Sequence, residues 1–391
     1  LSLLQPANGT ATTLEESREI AHRIGYPIVI RPSYVLGGRA MMIVYDDEEM
    51  AEYFALHVGK QKLEHPVLID KFLENAIEVD VDALSDGEDV YVAGVMEHIE
   101  EAGIHSGDSS CVLPPYSLPA ETVAEIERQT VALAKELRVV GLMNIQFAVK
   151  DGVVFILEVN PRASRTAPFV SKATGVPLPR LATQVMLGKT LKELDPWSMR
   201  RSGYVSVKES VFPFRRFPGV DILLGPEMRS TGEVMGIAPT FEEAFLKGQW
   251  GAGQKLPEGG KVFLSVNDRD KRFVAEVARQ YVDLGFELLA TSGTAGLLAG
   301  QGIPSTRVLK VYEGRPNIVD LIKNGEVSLV INTASGKRTA HDSKAIRQAT
   351  LHYGVPYSTT LSGAKAIARA IGAARTTEVR VKSLQEYYKG E

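Results

Sequence analysis

Length, composition and charge describe an ordinary globular protein with more than one domain: 391 residues, 44% hydrophobic and 24% charged, exceed what one compact core usually holds. The net charge of -4 gives no reason to expect nucleic acid or an anionic membrane as a partner, and no apolar stretch approaches the roughly 20 residues that span a bilayer. Cys111 is the single cysteine, which excludes an internal disulfide and suits a reducing compartment such as the cytoplasm.

Residues 1–75 are predicted to form a small α+β subdomain. Thr13 and Glu16 fit a capping box that begins a helix. The further predicted elements are strands at 28–31, 41–45 and 66–71 and a helix at 48–57. The chain begins at Leu1 without a methionine and enters a turn-rich segment at 5–9, so we expect a piece of a longer polypeptide; processing of a precursor is the alternative.

Residues 76–250 are predicted to form a larger subdomain built on long antiparallel strands and extended by helices. In the first strand Glu78, Asp80 and Asp82 share one face, while the intervening residues are apolar. The elements that follow are a long amphipathic helix at 119–137, a hairpin at 143–159 and further helices as far as Gly251.

The glycine-rich stretch 251–260 is predicted to be a linker to a last domain, residues 261–391. Strands and helices alternate after it, which favours a parallel sheet wrapped by helices. The predicted strands are 261–266, 287–290, 307–311, 328–331 and 355–358, and a last helix covers 363–371.

The hairpin at 143–159 is the most informative segment. A two-residue Asp-Gly turn would place Gln146 opposite Leu157 and mix polar and apolar side chains on each face. A loop with an odd number of residues instead places Gln146 opposite Glu158 and separates the two kinds of side chain, so we predict the odd loop. The apolar face would then carry Ile145, Phe147, Val149, Phe155, Leu157 and Val159.

The polar face of this hairpin is a candidate metal site. Gln146, Glu158 and Asn160 offer oxygen ligands that suit Mg²⁺ or Mn²⁺ held together with phosphate oxygens, rather than zinc. A solvated polar face is the alternative. Arg162 and Arg165 follow directly and add two guanidinium groups suited to phosphate or carboxylate, which favours the metal site.

Other segments hold weaker candidates for phosphate contact. Gly37 and Gly38 lie between two predicted strands, where backbone amides can approach phosphates, although glycine pairs also serve plain turns. Arg31 ends the preceding strand and could pair with a phosphate. A surface salt bridge is the alternative role for its side chain. His105 lies in a polar, glycine-containing loop and gains weight only from a nucleotide site beside it.

The last domain has a candidate phosphate site of its own. Thr291 to Thr294 lie between a strand end and a helix start, where amides and hydroxyls can bind phosphate. Such residues are expected to converge at the strand ends, where open α/β sheets bind ligands; an ordinary turn with surface lysines is the alternative. The candidates are Lys271, Thr291, Thr294, Lys310, Asn332 and Thr333.

The segments 31–39, 78–82, 103–108, 144–146 and 158–162 together resemble the ATP-grasp family. More narrowly, they are similar to the second synthetase half of the carbamoyl-phosphate synthetase large-chain family, and the similarity continues through 224–236 over essentially the whole chain. The resemblance implies an α+β ATP-grasp fold, in which a lid covers a larger antiparallel-sheet subdomain. It also implies a following α/β parallel-sheet domain of the methylglyoxal-synthase-like type.

The resemblance also implies site residues, by position. The metal ligands would be Gln146, Glu158 and Asn160, for Mg²⁺ or Mn²⁺, with K⁺ as a further expected cation. Arg162 and Arg165 would be the catalytic residues that stabilise charge on the transferred group. The residues implied to bind ATP are Arg31, Gly37, Gly38, Lys71, Leu73, Glu78, Gly103, Ile104, His105, Ser106, Gln146 and Glu158.

The activity implied by the resemblance is ATP-dependent phosphorylation of carbamate to carbamoyl phosphate, in arginine and pyrimidine biosynthesis. Phosphoryl transfer needs mainly positioning and charge neutralisation, so no protein nucleophile is expected. The implied partners are the amino-terminal synthetase half and a glutaminase small subunit. We therefore expect that this chain alone does not make carbamoyl phosphate from glutamine and bicarbonate.

The resemblance further implies control by the last domain, with UMP and IMP as nucleotide effectors. It also implies an ornithine site between the domains, formed by Glu100, Asp108, Glu209, Tyr357 and Thr359. Two other functions stay open: another ATP-grasp carboxylate-amine ligase, and a catalytically silent nucleotide-binding regulatory fragment. The segment 224–236 and the last domain speak against the first, and the intact metal-face residues speak against the second.

Overall fold

A computed structural model describes residues 1–33, 37–57, 65–201, 203–217, 219–334 and 336–389. Leu36, next to the predicted phosphate loop, lies outside these residues. The described part of the chain contains a four-stranded, a seven-stranded and a five-stranded sheet, which follow one another along the sequence. None of the helices described is long and apolar enough to cross a membrane.

The first sheet is the four-stranded one, and two helices accompany it. Its elements are β1 (Asn8–Ala11), α1 (Leu14–Ile24), β2 (Ile28–Pro32), β3 (Met42–Val44), α2 (Asp47–His57) and β4 (Val67–Lys71). The order is β1-β4-β2-β3 with antiparallel neighbours. The strand β1 was not predicted, because the turn residues around it conceal its pairing with β4. Thr13 caps α1, accepting from the backbone N–H of Glu16 at 3.2 Å. The Glu16 carboxylate accepts from the N–H of Thr12 at 2.7 Å, one residue before the cap, so the predicted capping box is confirmed only in part.

The second sheet is antiparallel, and its first strand in chain order holds the predicted row of acidic side chains. Its strands are β5 (Ile77–Asp86), β6 (Val90–His98), β7 (Cys111–Leu113), β8 (Val140–Lys150), β9 (Val153–Asn160), β10 (Val205–Val211) and β11 (Gly232–Ala238). Its helices are α3 (Ala120–Glu136), α4 (Ala167–Thr174), α5 (Leu178–Met186), α6 (Leu191–Leu194), α7 (Pro196–Met199) and α8 (Phe241–Gly251). The order is β11-β10-β7-β6-β5-β8-β9. Val79, Val81 and Ala83 of β5 pack into a buried cluster, which confirms the predicted two-faced strand.

The β8–β9 hairpin confirms that Gln146 faces Glu158, but not for the predicted reason. The turn does have only two residues, Asp151 and Gly152, with φ of 51° and 78°. The additional residue is Leu157, because the pairing shifts by one residue inside the strand. The prediction of an odd loop was therefore wrong, and a β-bulge restores the polar register.

The bulge also changes which residues form the apolar face. Near the turn, Val154 and Ile156 pack in the core with Ile145, Phe147 and Val149. Phe155 pairs with Ala148, and Leu157 borders the cleft described below, so both were wrongly predicted on the core face.

The third sheet is parallel, as predicted. Its elements are β12 (Lys261–Ser265), α9 (Lys271–Asp283), β13 (Glu287–Ala290), α10 (Ser292–Gly300), β14 (Thr306–Arg307), α11 (Ile318–Lys323), β15 (Leu329–Asn332), α12 (Gly336–Tyr353), β16 (Tyr357–Ser358), α13 (Leu361–Thr376) and α14 (Leu384–Lys389). The order is β14-β13-β12-β15-β16. The strand predicted at 307–311 is shorter than expected, because a 3-10 turn follows at Val311–Glu313.

One hydrophobic cluster joins the second sheet to the third. Phe241 and Phe245 of α8 are buried together with Val207 of β10, Val262 of β12 and Ile367 of α13. The change from antiparallel to parallel sheet falls at 251–260, where a linker was predicted. The domain boundaries themselves stay a prediction, since this core continues across that segment.

We predict that Gly236→Ala disrupts this shared core. A Cβ at position 236 would overlap the carbonyl oxygen of Ala244 and lie 2.6 Å from the nitrogen of Gly248, both on α8. Because backbone atoms cannot move aside alone, the free energy of unfolding should fall by about 1–3 kcal/mol in urea denaturation. Gly232→Ala in the same strand is the control, since a Cβ there meets nothing within 4 Å. Equal stability of the two variants would contradict the prediction.

Candidate active site

A cleft of about 540 Å³ lies between the first sheet and strands β5, β8 and β9 of the second. The sequence-predicted nucleotide and metal residues all border it, together with Arg162. These residues are Arg31, Gly37, Gly38, Lys71, Leu73, Glu78, Gly103, Ile104, His105, Ser106, Gln146, Glu158, Asn160 and Arg162. Arg165 does not border the cleft; its guanidinium contacts the sulfur of Met228.

The polar face of the β8–β9 hairpin lies on one wall of this cleft. Asn160 donates from Nδ2 to Glu158 Oε1 at 2.7 Å, and Gln146 donates from Nε2 to Ser106 Oγ at 2.8 Å. Among the residues described, no group of three or more His, Cys, Asp or Glu side chains forms a metal cage. One carboxylate with two amide oxygens nevertheless fits a hard cation that takes its other ligands from phosphate and water.

Arg31 brings positive charge to the metal face. Its Nε donates to Asp70 Oδ2 at 2.7 Å, and its Nη1 lies 3.8 Å from Glu158 Oε2. Burial raises the pKa of Asp70, and the guanidinium partly offsets this. The guanidinium of Arg31 is therefore held by a carboxylate of the first sheet while it faces the carboxylate of Glu158 on the hairpin.

A buried charge network supports the second wall. Glu78 accepts the backbone N–H of Gly103 at 3.0 Å, so β5 holds the start of the loop at 103–109. Burial raises the pKa of Glu78. His98 donates from Nε2 to Asp80 at 2.8 Å; burial opposes its charge, but Cys111 and Asp80 carry the pKa of His98 well above its usual range. His98 was not predicted, because a lone histidine in a strand gives no signal of this network.

The loop at 103–109 is also bound from outside the second sheet. His105 donates its backbone N–H to Gly225 O at 2.9 Å, and its Nδ1 accepts from Gly107 N at 3.0 Å. Burial lowers the pKa of His105, which agrees with a neutral ring that accepts at Nδ1. Asp108 accepts the backbone N–H groups that follow Met228, from Arg229 and Ser230, both at 2.8 Å.

The glycine loop of the first sheet contacts the same segment. Met228 donates its backbone N–H to Gly37 O at 3.0 Å. Gly38 has φ of 67°, and a Cβ there would overlap the carbonyl oxygen of Pro226, so this position requires glycine. Residues 221–230 thus meet both the glycine loop and the His105 loop. The sequence resemblance included 224–236, but no site role was predicted for it.

Asp82 anchors the segment that carries the two predicted catalytic arginines. Its carboxylate accepts from Ser164 Oγ and from Thr166 Oγ1, each at 2.6 Å. Burial raises the pKa of Asp82 to about 6, against the effect of those hydrogen bonds. Arg162 and Arg165 themselves are exposed, so their backbone is held by the buried carboxylate while their side chains reach solvent.

The predicted effector residues gather at the carboxyl ends of β12, β13 and β15. Thr333 Oγ1 accepts from Asn267 N at 3.1 Å, and Asn332 Nδ2 donates to Ser265 O at 3.1 Å. Thr291 Oγ1 donates to Ser265 Oγ at 3.4 Å. These hydroxyl and amide groups are buried at one edge of the parallel sheet, as predicted.

The amines of the effector cluster lie at the same edge. Lys271 Nζ is 2.5 Å from Asp268 Oδ1 and stands beside Gly293, in the first turn of α10. The hydrogen bond and charge of Lys271, with a smaller contribution from Lys310, lower the pKa of Asp268. Thr294 Oγ1 accepts from the backbone of Val266 at 3.5 Å. The structure therefore brings the predicted set together; what it binds stays a prediction.

The predicted ornithine residues surround one small cavity of about 50 Å³. Ser110 joins its two glutamates: it donates its N–H to Glu100 at 2.6 Å and its hydroxyl to Glu209 at 2.7 Å. Burial raises the pKa of both carboxyls, and Glu100 raises that of Glu209 further. A cavity this size holds a few waters. The predicted residues that border it are Glu100, Asp108, Glu209, Tyr357 and Thr359.

Comparison with known proteins gives two family matches. The model of the carbamoyl-phosphate synthase L chain, ATP binding domain, matches residues 2–194, and the model of the MGS-like domain matches residues 274–359. The chain is 55% identical over its whole length to the carbamoyl phosphate synthase large chain of Gemmatimonas aurantiaca, of which it spans 36%. It is 53% identical to the carbamoyl phosphate synthase large chain, C-terminal section, of Aquifex aeolicus, covering 99% of this chain and 76% of that one.

Among solved structures, the biotin carboxylase domain of the Hydrogenobacter thermophilus 2-oxoglutarate carboxylase is similar with a TM-score of 0.49 and 18% identity. The match covers 63% of this chain and 62% of that chain. Of the full-length Gemmatimonas aurantiaca large chain, which it matches at 55% identity, this chain spans about a third.

We predict that Asp82 makes stability fall as the pH rises from about 4 to about 6. The folded carboxyl keeps its proton to about pH 6, whereas the unfolded one loses it near 3.8, so the folded state binds more protons in this window. Denaturant unfolding should give Asp82→Asn a flatter profile there, by up to about 1.4 kcal/mol per pH unit.

Thr166→Val serves as the directional control. It removes one hydrogen bond that lowers the pKa of Asp82 in the folded state, so the upper end of the window should move to higher pH while its lower end, set by the unfolded chain, stays near pH 4. Parallel profiles for the wild type and Asp82→Asn would contradict the prediction.

Proposed function

The chain belongs to the carbamoyl phosphate synthase large-chain family, and on this premise we propose that its cleft phosphorylates carbamate with ATP. The carbamate oxygen attacks the γ-phosphorus, the bond to the bridging oxygen breaks, and the products are carbamoyl phosphate and ADP. The observation that carries the proposal is the convergence of Arg31, Gly37, Gln146 and Glu158 on one cleft.

Different residues of the cleft are assigned to different parts of the nucleotide. We assign the phosphates to the amides of Gly37 and Gly38 and to Arg31. We assign to Arg162 and Arg165 the neutralisation of charge on the transferred phosphoryl group, which is the main demand of such a transition state. Arg165 would have to leave Met228 to take this role. Lys71, Leu73 and Glu78 are assigned to the adenine and ribose side. Another wall of the nucleotide site is assigned to Gly103, Ile104, His105 and Ser106.

Gln146, Glu158 and Asn160 would hold Mg²⁺, with Mn²⁺ as a substitute, and the cation would neutralise phosphate charge. The support for this assignment is the oxygen-only donor set beside Arg31. The glycine loop contacts Met228 across the cleft, and closure there would exclude water from a substrate unstable in it.

The last domain is proposed to regulate this reaction. Lys271, Thr291 and Thr294, with their neighbours at the sheet edge, suit the phosphate of a nucleotide such as UMP or IMP. The amino-terminal synthetase half and a glutaminase subunit are the proposed partners, which supply carbamate and ammonia. The division into residues 1–75, 76–250 and 261–391 belongs to the same proposal.

We predict that Glu158→Gln abolishes ATP formation from ADP and carbamoyl phosphate. Loss of the one carboxylate on the metal face should slow this reverse reaction by at least about 100-fold. Glu121→Gln, at an exposed position of α3, should keep the full rate. Glu158→Gln with wild-type activity would refute the proposed site, and no ATP from any of these proteins would favour the regulatory fragment.

We predict that ornithine binding releases a proton. Burial and mutual repulsion raise the pKa values of Glu100 and Glu209, so the pair retains a proton that a cationic amine should displace. Titration calorimetry in buffers of different ionisation enthalpy should show up to about one proton released, and none with Glu209→Gln. Because the cavity is small, binding must also widen it. Undetectable binding would remove ornithine as a ligand, and binding without proton release would place its amine elsewhere.

A further inference from the structure

Arg347 is a buried arginine on α12 whose guanidinium reaches two separate parts of the molecule. Only 1% of the residue is exposed. Its Nε and Nη2 donate to the two carboxylate oxygens of Asp221, each at 2.6 Å. Its Nη1 donates to Asn332 Oδ1 at 3.0 Å. This fork is the geometry in which arginine binds most tightly and with the narrowest choice of orientation.

The Asn332 end of this contact belongs to the proposed effector site. Asn332 is the last residue of β15, and its Nδ2 donates to Ser265 O at the end of β12. Both hydrogen-bonding groups of its amide are therefore used at the sheet edge where the predicted phosphate-binding residues gather. A ligand that moves this amide changes the acceptor that faces Arg347.

The Asp221 end belongs to residues 221–230, which we call the cleft segment. Its Gly225 O accepts from His105 N at 2.9 Å, and its Met228 N donates to Gly37 O at 3.0 Å. Asp221 also fixes the segment internally, because its backbone oxygen accepts from Arg229 Nη1 at 2.9 Å. The cleft segment thus touches both the His105 loop and the glycine loop of the nucleotide cleft.

The cleft segment has no strand or helix of its own among the described residues 221–230. Because it has no strand pairing to hold it, its position depends on contacts at its ends and on its hydrogen bonds to the His105 loop and the glycine loop. Burial alone would raise the pKa of Asp221, but the hydrogen bonds and charge of Arg347 lower it, so the pair is ionised. Removing one charge leaves the other buried without its partner, which is costly.

We propose that Arg347 is a positioning residue for the nucleotide cleft: it holds the cleft segment against Gly37 and His105 through Asp221, and its bond to Asn332 makes that hold depend on the effector site. The inference rests on the proposed function and adds to it the route by which the last domain acts. The Arg347–Asn332 contact can be made or broken. A ligand at the sheet edge changes the affinity of the cleft for nucleotide only as far as it binds one of these two arrangements more tightly than the other.

The test uses Asp221→Asn, which keeps the shape of the side chain and removes its charge. The affinity for the non-hydrolysable ATP analogue AMP-PNP with Mg²⁺ should fall by about tenfold, within the usual range of coupling between sites. The ratio of AMP-PNP affinities with and without saturating UMP should differ from one in the wild type and approach one in the variant. Amide hydrogen exchange at Met228 and His105 should accelerate in the variant.

Glu242→Gln is the control, at a second arginine–carboxylate pair whose arginine is more exposed than Arg347. Arg369 Nε donates to Glu242 at 2.9 Å, which is another arginine–carboxylate pair between α8 and α13 and has no contact with the cleft segment. Loss of the Arg369–Glu242 pair should change neither the AMP-PNP affinity nor the ratio of AMP-PNP affinities with and without UMP. Arg347→Lys keeps the buried charge and should act in the same direction as Asp221→Asn but less, which also covers the case in which Asp221→Asn does not fold.

The outcomes separate this inference from the proposed function. A wild type that fails to bind AMP-PNP sinks the proposed function itself. Wild-type binding with an unchanged UMP ratio in Asp221→Asn overturns the positioning role alone, and so does a wild type in which UMP has no effect on AMP-PNP affinity. Equal losses in Asp221→Asn and Glu242→Gln would reduce the effect to general loosening and would likewise overturn it.

Discussion

The β-bulge at Leu157 is the constraint on which the cleft depends. An antiparallel hairpin with a two-residue turn has one register, and here that register would turn Glu158 away from Gln146. One additional residue inside β9 reverses the faces beyond it, so the polar groups share the cleft while the turn end still buries Val154 and Ile156. Core packing and the metal face thus make opposite demands on one hairpin, and the bulge satisfies both.

Buried carboxylates fix the positions of the loops that border the cleft. Glu78 holds Gly103, Asp108 holds the end of the cleft segment, and Asp82 holds the segment before α4. Each carboxylate lies in or next to the second sheet and accepts from loop N–H or hydroxyl groups. Burying such groups is unfavourable unless they are bonded, so a loop that moves away leaves an unsatisfied charge behind. The backbone that carries the exposed Arg162 and Arg165 is thereby fixed.

The amino-acid sequence predicted most of this arrangement where the signal was local. Periodicity identified the long strands and the parallel sheet, and segregation of side chains placed Gln146 opposite Glu158. It did not reveal the bulge, because an odd loop and a bulge produce the same segregation away from the turn. His98 and Asp221 were missed for another reason: their partners are distant in sequence, and a lone histidine or aspartate carries no pattern. β1 was missed because its only support is pairing with β4, a contact that its own turn-rich sequence does not encode.

The shared core bears on the proposed regulation of the cleft by the last sheet. Phe241 and Phe245 of α8 are buried with residues of β12 and α13, so the third sheet is packed against the second rather than tethered by the chain alone. Close-packed interfaces of this kind resist gradual deformation and favour discrete shifts. Under the proposed regulation, a ligand at the sheet edge would act through polar contacts that can exchange partners beside this core. The Arg347–Asp221 pair meets that requirement, because its donors are shared between an amide at the sheet edge and a segment without regular structure. The packed core fixes where the second and third sheets meet, and the ion pair holds the irregular segment beside it.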